Sequence, residues 1–467
     1  MAGGLIQLLS NRGVENIFLT FDANTSLFHT VYIRHSNFAT ETHEVPFRSG
    51  YGFGKKANCD LPKNLGDLIT GVTINIELPS LLDEQLRHAL SSCSSVHNEA
   101  SCDPKSSSHR NCRCACNNCI RKKYADKPIY SYCNSIGHVL IESYELIIGG
   151  KTIDKQYGEW LEVWTELTQP LEKRLTYNEM VGRYDSQVFS VDKLCDKIDL
   201  YIPLGFWFCR NIGLSLPIVS LYHQGVSISV KFRNFSECWV GNVPLKEPIA
   251  PEFKAHMLVD YVYLDLDERH DFYDKPRSYL IEQIQCSKQT FNYQKGIIQK
   301  ELPFKFAMKE LIWFIQRDEA ILAPNVLPEP ISREGYPLGN DHYNFSLELN
   351  RRRKYVYETF EELSISSNGE EIFKPRKAKW FRLCQAYDHH TRASSNFIYM
   401  HCWAQRPESH APTGVFNFSM ADKVRMMVRL GNIQQPSTPV TNCTLTTYGV
   451  NYNVFVVKDG MCSLIFS

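Results

Sequence analysis

The 467-residue sequence has no net charge to spend, because 51 Lys and Arg offset 51 Asp and Glu. Phosphate binding draws on an excess of cations, so this balance argues against nucleic acid as the main partner and against direct sequence-specific binding to it. A near-neutral chain is also weakly protected from self-association, which is no handicap for a subunit of an assembly. Long apolar runs are missing too. The longest, Tyr201–Cys209, has nine residues and is too short to span a bilayer. The opening residues have no basic n-region, Ser10-Asn11-Arg12 cuts their apolar run, and Ala2 breaks the myristoylation pattern. A soluble protein made in the cytosol is therefore expected.

Catalytic signatures are lacking as well. There is no GxSxG elbow, HExxH, Walker A or dinucleotide fingerprint. His35, His223 and His256 stand alone in strand-like contexts and read as structural residues, since general-base work needs a positioned partner. Ser49–Lys56 (SGYGFGKK) has glycines and lysines but not phosphate-loop spacing, and it reads as a strand corner. The expectation is a protein that is not an enzyme and requires no cofactor.

What is present is aromatic and β-like. The chain holds 24 Tyr, 26 Phe and 7 Trp, and its size favours two large domains. In Leu200–Phe232, Pro203, Gly205, Gly213 and Pro217 interrupt too often for a helix. Val226, Ile228, Val230 and Phe232 alternate with Ser227, Ser229, Lys231 and Arg233, as in a strand buried on one face. Val72, Ile74, Ile76 and Leu78 repeat that pattern, and Leu27–Ile33 and His138–Ile148 also read as strands. Val14, Ile17, Leu19 and Phe21 would anchor a short strand in the N-terminal arm, residues 1–24. One helix is predicted from the spacing of Ile153, Tyr157, Trp160, Leu161, Trp164 and Thr168, stopped by Gln169-Pro170. Asp265–Pro276 lacks the loop glycine of a calcium site and reads as a solvated linker, about 267–276. Short strands follow at Tyr279–Cys286, Leu311–Gln316, Asn344–Leu349, Phe397–Trp403, Val424–Leu430 and Asn451–Lys458. Many short strands with turn signals imply sandwiches or barrels.

Two clusters carry chemistry. Residues 79–137 lose apolar periodicity and hold seven of the sixteen cysteines. Cys112, Cys114, Cys116 and Cys119 fall within eight residues, flanked by Cys93, His97, Cys102, His109 and Cys133. Cys116 and Cys119 have zinc-knuckle spacing. A disulfide-stapled loop is the competing reading and an unordered segment the third, because so few apolar residues cannot build a core. Farther on, His389-His390 with His401 and Cys402 would form a metal site if a hairpin brought them together. Arg351–Lys354, with Arg376, Lys377 and Lys379, is the strongest basic patch. It reads as a solvated or subunit-contact loop, with an anionic membrane surface or nucleic acid as the other reading.

The string Gly3–Leu8 (GGLIQL), then Tyr32–Ala39 (YIRHSNFA), resembles the opening of major capsid proteins of nucleocytoplasmic large DNA viruses, chloroviruses among them. Gly66–Thr70 (GDLIT), Gly149–Trp160 (GGKTIDKQYGEW), Tyr201–Leu204 (YIPL), Asp260–Arg269 (DYVYLDLDER), Gly414–Ser419 (GVFNFS) and Tyr448–Val454 (YGVNYNV) continue the resemblance in the family's order. It implies an all-β double jelly roll, two eight-stranded antiparallel sandwiches with a few short helices, spanning residues 25–266 and 277–467. The cysteine-rich insertion would be a loop of the first sandwich, and Leu200–Phe232 two adjacent strands in its core. It also implies homotrimers that tile an icosahedral shell against neighbouring capsomers, with minor capsid and penton proteins and an inner membrane nearby. Synthesis and assembly would be in the host cytoplasm. The rival readings are a minor capsid or scaffold protein of the same fold and a carbohydrate-binding jelly roll.

Overall fold

In the computed structural model, the residues described are 3–10, 20–22, 28, 32–48, 50–81, 130–183, 197–241, 250–294, 296–322, 339–347, 358–394, 396–421, 423–431 and 442–466. Residues 1–38 form one unit and 39–467 another. Within the first unit, Gly3–Ser10 is helical (α1). The strand expected around Val14, Ile17 and Leu19 lies outside the described residues. So does most of Leu27–Ile33, of which Tyr32 and Ile33 are not strand.

The first strands are β1 (Phe38–Pro46), β2 (Lys56–Asp60), β3 (Leu68–Leu78), β4 (Tyr130–Tyr132), β5 (Ile141–Ile148) and β6 (Lys151–Tyr157). Then come β7 (Ile198–Pro203), β8 (Leu216–Pro217), β9 (Val226–Phe232), β10 (Trp239–Gly241) and β11 (Lys254–Leu264). Four-stranded layers ordered β1-β11-β3-β7 and β2-β9-β5-β6 make an eight-stranded antiparallel sandwich, with β8 beside β3 and β4 paired to β10. The alternation in β3 and β9 sends Ile74, Ile76, Ile228 and Val230 into the core, all fully buried. Gly149 and Gly150 both have positive φ (57° and 81°), which suits the two-residue turn joining β5 to β6. Phe53 and Gly54, the latter at φ 71°, form a turn that feeds β2.

Several expectations are corrected. β7 and β9 are not adjacent: β7 pairs with β3 in one layer, and β9 with β2 and β5 in the other. The insertion does not run to residue 137, because β4 and the helix α2 (Ile136–Leu140) are ordered and Tyr132, Cys133 and Ile136 are buried. The strand expected from His138 accordingly begins at Ile141. The helix expected from Ile153 begins only at Gly158: α3 spans Gly158–Thr168, while Ile153 and Tyr157 belong to β6. A spacing of four fits either period, and pairing with β5 decided for strand. Gly158 is required at that junction, since a Cβ there would lie 2.1 Å from the Ile141 carbonyl oxygen and 2.2 Å from that of His138. Pro170 ends α3 and caps a second helix, α4 (Leu171–Met180), that spacing did not reveal. Trp207–Arg210 adds the short α5.

Residues 265–276 are not irregular. Asp265 accepts a hydrogen bond from the Leu266 amide (2.8 Å) and caps α6, Leu266–Asp274, which buries none of its residues. Beyond it lie β12 (Arg277–Asn292), β13 (Gly296–Glu301), β14 (Ala307–Arg317), β15 (Glu362–Ser367) and β16 (Glu370–Lys377). They are followed by α7 (Gln385–His389), β17 (Tyr399–Cys402), β18 (Phe416–Asn417), β19 (Val424–Leu430), β20 (Asn442–Lys458) and β21 (Met461–Leu464). Layers ordered β12-β20-β14-β17 and β13-β19-β15-β16 repeat the eight-stranded plan. The strand expected at Asn344–Leu349 is absent over its described part, 344–347. There the Asn344 side-chain oxygen accepts from the amide and hydroxyl of Ser346 (3.1 and 2.6 Å), folding the chain into a buried bend.

Candidate functional site

The residues expected to carry chemistry divide sharply. Cys93, His97, Cys102, His109, Cys112, Cys114, Cys116 and Cys119 lie outside the described residues, as does Arg351–Lys354. Cys133 is buried beyond β4, where its amide donates to the carbonyl of Cys238 (3.1 Å). Arg376 and Lys377 are exposed on β16. Of the four residues considered for a metal, His390 and Cys402 meet and the other two do not. His389 Nδ1 donates to the Gln405 carbonyl (3.1 Å). His401 packs among the rings of Phe373, Trp403 and Trp380, and burial pushes its pKa down to about 4.

Sequence reasoning missed a charged seam between the two sandwiches. Of the apolar stripe expected on α3, Trp160 and Leu161 are buried and Trp164 and Thr168 half-buried, and Val163 and Leu167 are buried beside them. Glu159, Glu162 and Glu166 recur at i, i+3 and i+7, so they share a second face. That face is not solvated. Glu159 takes Lys288 (2.8 Å) and Tyr448 (3.1 Å) from the second sandwich and Arg233 (3.3 Å) from the first. Glu162 takes Arg183 (2.8 Å) and His138 (2.7 Å). Glu166 joins Arg183 of the first sandwich to Arg392 of the second (2.6 Å). The carboxylate spacing on α3 was the available signal, but nothing local announced its partners.

Further ties cross the same seam. Arg210 at the end of α5 lies over the Trp164 ring (4.7 Å) and pairs with Glu282 (3.0 Å), which also holds the buried Lys309 (2.5 Å). Asp154 accepts from Gln156 (2.7 Å) and the Ile284 amide (3.4 Å), and burial raises its carboxyl to about 6. Asn340 donates to the carbonyls of Ser236 and Trp239 (both 2.7 Å). His342 Nε2 meets the Glu237 carbonyl at 2.8 Å. Trp160 against Tyr448 (5.3 Å) and Trp207 against Phe455 (5.7 Å) fill the space between. Buried ions of this kind recover their desolvation only when fully partnered, so their use here is to fix one orientation of the two sandwiches.

The seam makes folding acid-sensitive. Burial would raise Glu162, but the Arg183 charge and the His138 hydrogen bond outweigh it and hold the carboxyl at about 2, against an ordinary 4.5. A depressed carboxyl contributes stability that is present above 4.5 and lost as pH falls toward 2, about 3 kcal/mol for this shift. Burial, then Arg233, lowers His342 from 6.5 to about 4, so the cost of keeping it neutral grows as pH falls through that window. Thermal unfolding followed against pH is expected to change little between about 6.5 and 4.5, where the loss from His342 is offset by protonation of Asp154, and to weaken below 4.5, and Arg183→Met should shrink that loss. An unfolding temperature that stays flat from neutral pH to about 3 would contradict the seam as described.

These features define a structural double jelly roll: paired sandwiches locked by buried contacts. Residues 26–265 match the family model of the major capsid protein N-terminus, and 268–463 that of the large eukaryotic DNA virus major capsid protein. The major capsid protein of Pyramimonas orientalis virus is 29% identical, and that of Phaeocystis pouchetii virus 27%, each over the full length of both chains. The solved PBCV-1 virus capsid is similar with a TM-score of 0.71 at 21% identity, covering 95% of this chain and all of that one. The chain belongs to the major capsid proteins of large eukaryotic DNA viruses. Like these homologues, it is a structural building block of the virion shell and not an enzyme.

Proposed function

We propose that this major capsid protein works as a homotrimer. Three copies of two eight-stranded sandwiches present six similar bodies, which gives a pseudo-hexameric capsomer able to tile an icosahedral shell against its neighbours. The repeated layer plan of the two halves carries this reading. Exposed apolar side chains on both halves, such as Ile212 and Leu266 on the first and Ile297 and Met420 on the second, offer surface for contacts between copies. Minor capsid and penton proteins would seat on the same shell, with an inner membrane beneath it. Size-exclusion chromatography with light scattering on the full chain tests the assembly: a mass three times the monomer's is expected, and a stable monomer at high concentration would overturn it.

For the cysteine-rich insertion, we infer an ordered loop held by zinc or by disulfides among Cys112, Cys114, Cys116 and Cys119, with Cys93, Cys102, His109 and Cys133 as further candidates. The spacing of Cys116 and Cys119 supports the first and the scarcity of apolar residues supports either.

A further inference from the structure

Outside the seam, three metal-competent side chains from distant parts of the chain converge in the second sandwich. Glu310 comes from the middle of β14, His390 directly follows α7, and Cys402 ends β17; all three are buried, and their ligand atoms lie within 4.8 Å of one another. Glu310 Oε2 is 3.0 Å from His390 Nε2 and 3.6 Å from Cys402 Sγ, and the imidazole nitrogen and the sulfur are 4.0 Å apart. Bonds of about 2.0–2.3 Å at tetrahedral angles separate zinc ligands by roughly 3.3–3.7 Å, so the triangle needs only small adjustments to close on an ion. We propose that Glu310, His390 and Cys402 form a structural zinc site that pins α7 and β17 to β14.

Two further observations point to a ligand. Glu310 is fully buried, yet its Oε1 has no hydrogen-bond partner, which is costly for a carboxylate oxygen and leaves a donor atom free to complete the coordination. On the far side of the imidazole, His390 Nδ1 meets the Glu408 carboxylate at 3.1 Å, and Glu408 is itself fixed by the Thr391 amide (2.7 Å). A carboxylate behind a histidine sets the tautomer that presents Nε2 to a metal.

Zinc takes a thiolate and a bare imidazole nitrogen, so any protons on Cys402 Sγ and His390 Nε2 leave to solvent when the ion binds. A mixed nitrogen, sulfur and oxygen set selects zinc over magnesium or calcium.

The test uses the full chain with Cys93, Cys102, Cys112, Cys114, Cys116 and Cys119 all changed to Ser, which removes the insertion as a source of bound metal. Protein produced in zinc-supplemented medium is assayed for metal after dialysis. One zinc per chain is expected, falling by about tenfold or more when Cys402→Ser is added, and unchanged by His389→Ala. Should the Cys402 variant fail to fold, cobalt replaces zinc in the parent, where a thiolate-to-cobalt charge-transfer band with four-coordinate ligand-field bands is expected. Folded parent protein without zinc, zinc retained by Cys402→Ser, or a cobalt complex without the thiolate band would each overturn the proposal.

Discussion

Ile228→Asp is expected to leave no soluble, folded protein. Ile228 lies inside β9, flanked by Cys59 on β2 and Leu146 on β5, and it has no exposed surface. The change forfeits about 3 kcal/mol of side-chain burial and places a carboxylate in the apolar core, at several kcal/mol more. Against a typical net stability of about 5–15 kcal/mol, that is enough to unfold the first sandwich. Soluble yield and circular dichroism read the outcome, and a normal unfolding transition would mean that β9 does not face the core. Alternation alone suggests Ser229→Asp as the harmless control, because the other face looks solvated. It is a poor one: Ser229 is only 1% exposed, and its register partner on β5 is Glu145. Lys231, exposed and paired with Glu142 at 2.7 Å, is the better site, and Lys231→Ser should cost less than about 1 kcal/mol.

The contrast between residues 228 and 229 shows what kind of information the sequence carried. Inward faces of strands were legible, because burial on one side enforces a period of two; Val424–Leu430 emerged with its bounds intact. Outward faces were not, because whether a polar face meets water or a neighbouring layer depends on tertiary contacts. The same limit applied to α3, whose carboxylates look like an ordinary solvated face and instead hold the two sandwiches together. At the proposed zinc site, His390 and Cys402 were close enough in sequence to be suspected, yet Glu310 stands 80 residues before the histidine and only the β14–β17 pairing delivers it. Chain order and family motifs indicated which sandwich each segment belongs to, whereas the seam that joins the sandwiches is a product of packing.

Glu166→Gln should therefore be the most damaging polar substitution in the seam. Glu166 is fully buried at its side chain and faces two guanidinium groups, Arg183 at 15% and Arg392 at 12% side-chain exposure. An amide keeps the shape but removes the charge, and it leaves two cations crowded together with one carboxylate, Glu162, to balance them. Breaking one partner of a buried network in this way costs about 3–5 kcal/mol. Replacing Arg392 by Met in the same chain removes the surplus cation, so the double variant should recover part of that loss, with a coupling energy of about 1–3 kcal/mol in a double-mutant cycle. The readouts are thermal unfolding and limited proteolysis at the exposed α6 connector, which should become faster as the sandwiches loosen. Strictly additive effects of Glu166→Gln and Arg392→Met would show that Glu166 and Arg392 are not a coupled unit, and the orientation of the two jelly rolls would then rest on the aromatic contacts of Trp160 and Trp207 and on separate ties such as Arg210–Glu282 and Asn340.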